Sequence, residues 1–345
     1  MSILYIGPLQ EGGTCLERMK ILNQLGYKVI PFNITPFYEK KWRPLRSLSS
    51  RLYMGPITSS INQRLRFLVK EGNLGSVKYI WVDKGVDIYY ETLYELKKET
   101  NAIAIHYTPD SQFLSQRSRH FFTSIPIYDL LVTTKEWEVD LYKKSGAERV
   151  MLVLQGYGSK FFPRKVQKKQ FLDFKSDVCF IGHTQKAYAN KLKLISSMEV
   201  DLKIWGDSWP DYALRNSWAR SVTIGPGLWG EEYPIALSQA KIGLGFLGKH
   251  IPETSTTRQF EIPATGVFLL SERTEILQSL FKEGEEAEFF SSNDEMIDKI
   301  NFYLCHENVR KRIAASGLNR CKSSGYSSNN ILTSIMKRLE KIERV

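Results

Sequence analysis

The strongest constraint on the fold is an alternation. Short β-rich runs and helical patterns follow one another along almost the whole 345-residue chain, the signature of parallel α/β architecture. In the first half, strands are expected at residues 3–6, 28–31, 79–82, 102–106, 130–133 and 150–154. A second series is expected at 178–181, 202–205, 222–224, 242–246, 267–270 and 287–290. Between the two lies a charged, proline-containing stretch without periodicity, residues 161–177, where the domain boundary is expected. The first helix is read as opening on a capping box, Thr14 with Glu17, and closing at Gly26. Ser292–Glu295 caps another, and Ile331, Ile335, Leu339 and Ile342 mark one face of a last helix from residue 328. The expected division is therefore 1–165, 166–327 and a C-terminal helix, 328–345, that crosses back to brace the first domain.

Composition agrees with two globular cores: 42% hydrophobic and 25% charged residues exclude disordered and fibrous classes. Cys15, Cys179, Cys305 and Cys321 are far apart with no C-x-x-C, which points to a reducing compartment and no structural zinc. The opening MSILYIGPLQEGG reads as a strand rather than a signal peptide, and no apolar run approaches a membrane span of ~18 residues. A cytoplasmic protein, at most peripheral to the inner face of the membrane, is expected. The net charge of +11 is uneven: residues 1–165 hold 24 Lys or Arg against 15 Asp or Glu, the rest 24 against 22.

Ligands of open parallel sheets bind beyond the carboxyl ends of the strands. The richest segment there is ETSTTRQFEIPATG, residues 253–266, in which Glu253 and Glu261 flank a serine, three threonines and Arg258. Hydroxyls, backbone amides and a guanidinium suit a diphosphate, and carboxylates suit vicinal sugar hydroxyls. Arg258, with Thr256 and Thr257, is thus a candidate for the diphosphate, Glu261 for a ribose and Glu253 for a sugar. Gly182-His183 ends a strand and opens a helix, an arrangement that lets backbone approach a phosphate; Gly206 follows the next strand in the same way. Lys186 and Lys249 are further candidate cations. No D-x-D and no His/Cys/Asp cluster with ligand spacing occurs, so no metal is expected. Residues 225–230 do not continue into a dinucleotide fingerprint, which argues against a dehydrogenase.

The run Thr257–Gly266 followed by Val267-Phe268-Leu269-Leu270 resembles the signature of the CgeB-like (spore maturation protein-like) glycosyltransferases, of the GT-B class. Residues 282–290, 303–307 and 312–314 are similar to that family too, as are 81–85, 106–110 and 128–134, so the resemblance covers nearly the full length. It implies two Rossmann-like domains facing across a cleft, an acceptor on the first and a nucleotide-diphosphate sugar, expected to be a UDP-sugar, on the second. No tightly bound cofactor and metal-independent hexosyl transfer are implied. Gly12 and Gly13 of loop 7–13, with Asp83 and Lys84, then fall on the acceptor side. For inversion a base is needed near the acceptor hydroxyl; Asp110 ranks ahead of His106.

Residues 35–57 read as a long linker in which Lys40, Lys41, Arg43, Arg46 and Arg51 alternate with aromatic and apolar side chains. That mixture suits an anionic polymer or membrane surface, and less favourably a nucleic acid. The expected acceptor is accordingly an anionic polysaccharide, a glycolipid or another surface glycan. Alternatives on the same fold are a nucleotide-sugar epimerase or hydrolase, and a non-catalytic carbohydrate- or nucleic-acid-binding protein.

Overall fold

The computed structural model describes residues 1–39, 41–72, 74–161 and 174–343. Lys40 and residues 162–173, most of the stretch expected to hold the domain boundary, lie outside the described residues. Two compact units are present: Met1–Leu154 with Asn329–Val345, and Gln155–Ser328.

The first unit is built on six parallel strands, β1 (Ser2–Gly7), β2 (Lys28–Asn33), β3 (Val77–Asp83), β4 (Ile103–Thr108), β5 (Leu130–Thr133) and β6 (Val150–Leu152), ordered β2-β1-β3-β4-β5-β6. Both faces are covered, so the strands are apolar throughout and sort their side chains with a period of two. Leu4 and Ile6 of β1 enter one core with Ile80 and Val82 of β3, beneath α4 (Pro56–Lys70) and α5 (Tyr90–Thr100). Ile3, Tyr5, Tyr79 and Trp81 enter the other, beneath α1 (Thr14–Gln24) and α16 (Ser328–Glu343), whose Ile331, Leu332, Ile335, Met336 and Leu339 complete it.

Two local expectations are corrected. Gly13, not Thr14, is the N-cap of α1: its carbonyl accepts the Glu17 N–H at 3.2 Å, and Thr14 is already helical with no side-chain cap. The supposed linker after β2 is helical, as α2 (Thr35–Glu39) and α3 (Arg43–Leu52) run up to α4. Pro44 and Pro56 sit in the first turns of α3 and α4, where the missing N–H costs nothing, and Tyr53 closes α3 in the left-handed region (φ 52°).

The second unit repeats the plan with β7 (Ser176–Ile181), β8 (Leu202–Trp205), β9 (Thr223–Gly225), β10 (Ala240–Gly245), β11 (Phe268–Glu272) and β12 (Glu288–Phe290), ordered β12-β11-β10-β7-β8-β9. Chain order reverses between β7 and β10, the topological switch point at which such sheets bind ligands. Both sheets match the expected α/β class. No helix among the described residues is long and apolar enough to cross a membrane.

Candidate functional site

At the switch point of the second sheet, α12 (Arg258–Ala264) begins with its guanidinium turned back over the strand ends. Arg258 Nη2 donates to the Phe246 carbonyl, just beyond β10, at 3.1 Å. The guanidinium carbon lies 5.6 Å from the ring centre of Phe180 in β7 and 5.8 Å from that of Tyr188 in α8 (Lys186–Ser196), both within cation–π range. Its Nε is buried with no hydrogen-bond partner. A guanidinium in an aromatic seat with a buried, unpartnered N–H can receive an exogenous anion.

The loops around it are laced together. Trp209 of α9 (Trp209–Arg215), fully buried, donates its indole N–H to the Gly182 carbonyl at 2.8 Å. Ser208 Oγ accepts the Thr184 N–H and donates to Thr184 Oγ1, each at 3.0 Å. Asp207 Oδ1 accepts the Gly227 N–H at 2.8 Å and ties in the loop after β9. A β-carbon on Gly182 would stand 2.8 Å from Arg258 Nη1, and one on Gly206 would overlap the Gly182 carbonyl oxygen. Glycine at 206 is thus a packing requirement, whereas at 182 the nearest atom is the tip of the Arg258 side chain; the two backbones and the guanidinium occupy one small volume.

Other expected residues are placed differently. Thr256 donates both N–H and hydroxyl to Gln259 Oε1 at 2.8 Å, so it secures α12 rather than opening outward; Thr257 makes no side-chain cap. Gln259 in turn donates to the Gly245 carbonyl at 2.9 Å. Glu261, buried, accepts from the Tyr233 hydroxyl at 2.7 Å. Glu253 Oε2 accepts the Gly248 N–H at 2.8 Å, closing the loop after β10. Lys249 is paired with Glu272, whose other oxygen lies 3.4 Å from Lys191 Nζ. Lys186 is exposed at the start of α8. His183 Nε2 accepts from the Gln185 amide at 2.8 Å, and partial burial with the Arg258 charge holds its pKa below the usual range. Tyr188 and Phe246 were not singled out from sequence, and Phe180 and Asp207 only as members of the segments 180–184 and 206–209. Aromatic residues at strand ends look like core, and only the register of Arg258 above them gives them a role.

In the first unit the corresponding switch lies between β1 and β3, and Asp83 ends β3 there. It is 1% exposed, and its oxygens accept from Arg18 Nε (2.8 Å) and Nη2 (3.0 Å) and from the Tyr5 hydroxyl (2.5 Å). Both oxygens are therefore committed within the unit. The next residue, Lys84, has φ 68°, an uncommon conformation for a side chain of this size. It is held from both sides, by its N–H to the Tyr107 carbonyl at 2.9 Å and by its own carbonyl to His106 Nε2 at 3.0 Å. Lys84 Nζ reaches Asp110 Oδ2 at 2.9 Å, an oxygen that also accepts from Gln116 at 2.9 Å; the Asp110 side chain is 36% exposed. Gly12 and Gly13 lie in the turn between β1 and α1, where the Gly13 N–H meets the Gln10 carbonyl at 3.0 Å.

His106 is 0% exposed, packed on Phe121 and Tyr128. Because the Lys84 carbonyl can only accept, Nε2 carries a proton, and the buried Nδ1 has no hydrogen-bond partner to hold a second one. Burial drives its pKa down to about 4. Below an unfolded value of about 6.5 the unfolded chain takes up a proton that the folded chain refuses, so this contribution to stability is complete above that pH and is lost as pH falls towards 4. His106→Gln is expected to reduce the pH slope of folding stability in that window by up to one proton, measured by urea titration at stepped pH. An unchanged slope would show that the imidazole titrates freely.

Residues 187–337 match the family described as glycosyl transferase-like. No curated protein matches the chain. Among solved structures, a sucrose-phosphate synthase from Thermosynechococcus elongatus is 13% identical with a TM-score of 0.69, covering 100% of this chain and 99% of that one. Anabaena Alr3699/HepE, solved with UDP and glucose, is 12% identical with a TM-score of 0.65 over 99% and 100%. A glycosyltransferase from Rickettsia africae ESF-5 is 13% identical with a TM-score of 0.65 over 99% and 98%. Two six-stranded parallel sheets with flanking helices are thus the GT-B fold, and the family match over residues 187–337 supports glycosyl transfer.

Proposed function

We propose that the chain is a glycosyltransferase of the CgeB-like branch that moves a hexosyl group from a nucleotide-diphosphate sugar, a UDP-sugar, to a hydroxyl acceptor in surface polysaccharide or glycolipid synthesis. The observation that carries this reading is the Arg258 guanidinium, seated on Phe180 and Tyr188 at the β7/β10 switch point with its buried Nε unpartnered. The UDP-glucose and UDP complexes of the structurally similar Anabaena protein agree with the choice of base. In this reading Arg258 and the amides of the β7–α8 turn receive the diphosphate, Glu261 the ribose and Glu253 the sugar. The acceptor oxygen attacks the anomeric carbon, the bond to the diphosphate breaks with its electron pair leaving on UDP, and Asp110, oriented by Lys84, takes the acceptor proton if configuration inverts. Charge on the leaving group is met by protein cations.

Calorimetric titration with UDP, GDP, TDP and CDP tests the donor half. Selective UDP binding is expected, equal with and without magnesium. Arg258→Ala should weaken it about 10- to 100-fold, the worth of one or two charge-assisted hydrogen bonds. Arg258→Lys should recover only part, since a point charge replaces a fork. No binding to any nucleotide would favour the non-catalytic alternative, and sugar-nucleotide consumption without an acceptor would favour an epimerase or hydrolase.

A further inference from the structure

The charge of this protein is concentrated in one segment. Between Lys40 and Lys70 there are eight Lys or Arg and no Asp or Glu; the other 314 residues hold 40 Lys or Arg against 37 Asp or Glu, so that segment supplies +8 of the net +11. It contains α3, whose side chains divide cleanly at 100° per residue. Leu45, Leu48 and Leu52 form one stripe, at i, i+3 and i+7. Leu45 packs on the core, whereas Leu48 and Leu52 are 57% and 56% exposed. Trp42 at the N-terminal end of the helix is 77% exposed and Met54, just past its end, 57%. Four large apolar side chains within thirteen residues therefore stand in solvent, flanked by exposed Lys41, Arg43 and Arg51.

A stable soluble surface does not ordinarily display such a stripe. An aromatic and leucine face bordered by cations, on a helix lying along the protein, is the pattern of an interfacial helix on anionic lipid. The opposite side of α3 is polar. Arg46, Ser50 and Tyr53 line a cavity of about 380 Å³ with Tyr38 and Asp87, at the carboxyl edge of the first sheet. Asp87 Oδ1 accepts from Tyr38 (2.7 Å) and Thr58 (3.2 Å), and burial raises its pKa. The helix thus exposes Leu48 and Leu52 along one side and lines a polar pocket with the other.

We infer that α3 is a membrane-seating helix, which inserts Trp42, Leu48, Leu52 and Met54 into the headgroup boundary of an anionic bilayer. Resting on the transferase reading above, this makes the acceptor lipid-borne, with its hydroxyl-bearing headgroup delivered to the pocket beneath α3. Seating and donor binding are separable, because the donor site is built from Gln155–Ser328 and α3 from the other unit.

The test is sedimentation of the full chain with vesicles of phosphatidylcholine alone and of equimolar phosphatidylcholine and phosphatidylglycerol. Binding is expected only to the second, falling as salt rises. Leu48→Ser with Leu52→Ser should lower partition by about tenfold per leucine removed. Lys41→Gln, Arg43→Gln and Arg51→Gln together should lower it by about fivefold per charge. Circular dichroism and UDP titration should be unchanged in both variants, so a missing nucleotide affinity would fault the donor reading and leave this one standing. The inference is overturned if wild-type protein ignores anionic vesicles. It is equally overturned if the leucine variant binds them as well as wild type, or if light scattering shows a dimer that the leucine variant dissolves.

Discussion

Asp83→Asn is expected to destabilise the first unit by about 3–5 kcal/mol, the cost of leaving a buried cation without its counter-ion. The carboxylate accepts both arms of Arg18 and the Tyr5 hydroxyl, and Arg18 lies 4.4 Å over the Tyr107 ring in the same interior. Asparagine keeps the shape but not the charge. Hydrogen exchange should show peptides of residues 1–154 losing protection while those of 155–328 keep it, and UDP affinity should be preserved. Adding Arg18→Leu should restore part of the loss, because the stranded charge goes with it. A variant as protected as wild type would mean that the pair is solvated and structurally idle. The expectation that Asp83 lies on the acceptor side is not what its bonds show; they make it the clamp that joins β1, α1 and β3.

Gly206→Ala should be the most damaging small change in the second unit. A methyl group there meets the Gly182 carbonyl oxygen and the Trp209 indole, and the oxygen is itself held by that indole N–H. Neither neighbour is a flexible side-chain tip, so the backbone must move. Overpacking of this kind costs about 1–3 kcal/mol or more, and the displacement lands on the loop beside Arg258. UDP affinity is therefore expected to fall more than tenfold while the β7–α8 turn loses amide protection. Normal affinity with normal protection would place the nucleotide elsewhere on the sheet edge.

The strands were legible because a parallel sheet covered on both faces writes itself as apolar runs, and each of the twelve found lies within two residues of its expected position. Helices with weak stripes were not. The segment from Thr35 to Ile57 mixes prolines and arginines in a way that reads as irregular, yet proline in a first turn is compatible with a helix. In the candidate site, Arg258, Gly182 and Gly206 could be nominated because residue type and position after a strand already limit what they can do. The parts played by Thr256 and Glu253 are harder to read from sequence, since a hydroxyl or carboxylate in a polar loop satisfies a local donor or acceptor as readily as a ligand. Here Gln259 and the Gly248 N–H take them. His106 misled for a related reason: a histidine at a strand end looks available until the rings of Phe121 and Tyr128 are packed against it.

The first unit is discontinuous in the chain, and this imposes an order on its birth. During synthesis Met1–Leu154 leaves the ribosome with Ile3, Tyr5, Tyr79 and Trp81 still lacking the helix that covers them, and all of Gln155–Ser328 must follow before Ile331–Leu339 emerges. Nascent chains stalled short of residue 331 should therefore expose an apolar sheet face and recruit chaperones, whereas the second unit can fold without waiting for α16. Completion of the first core thus waits on α16, so truncation within α16 would be sensed as misfolding of the N-terminal half.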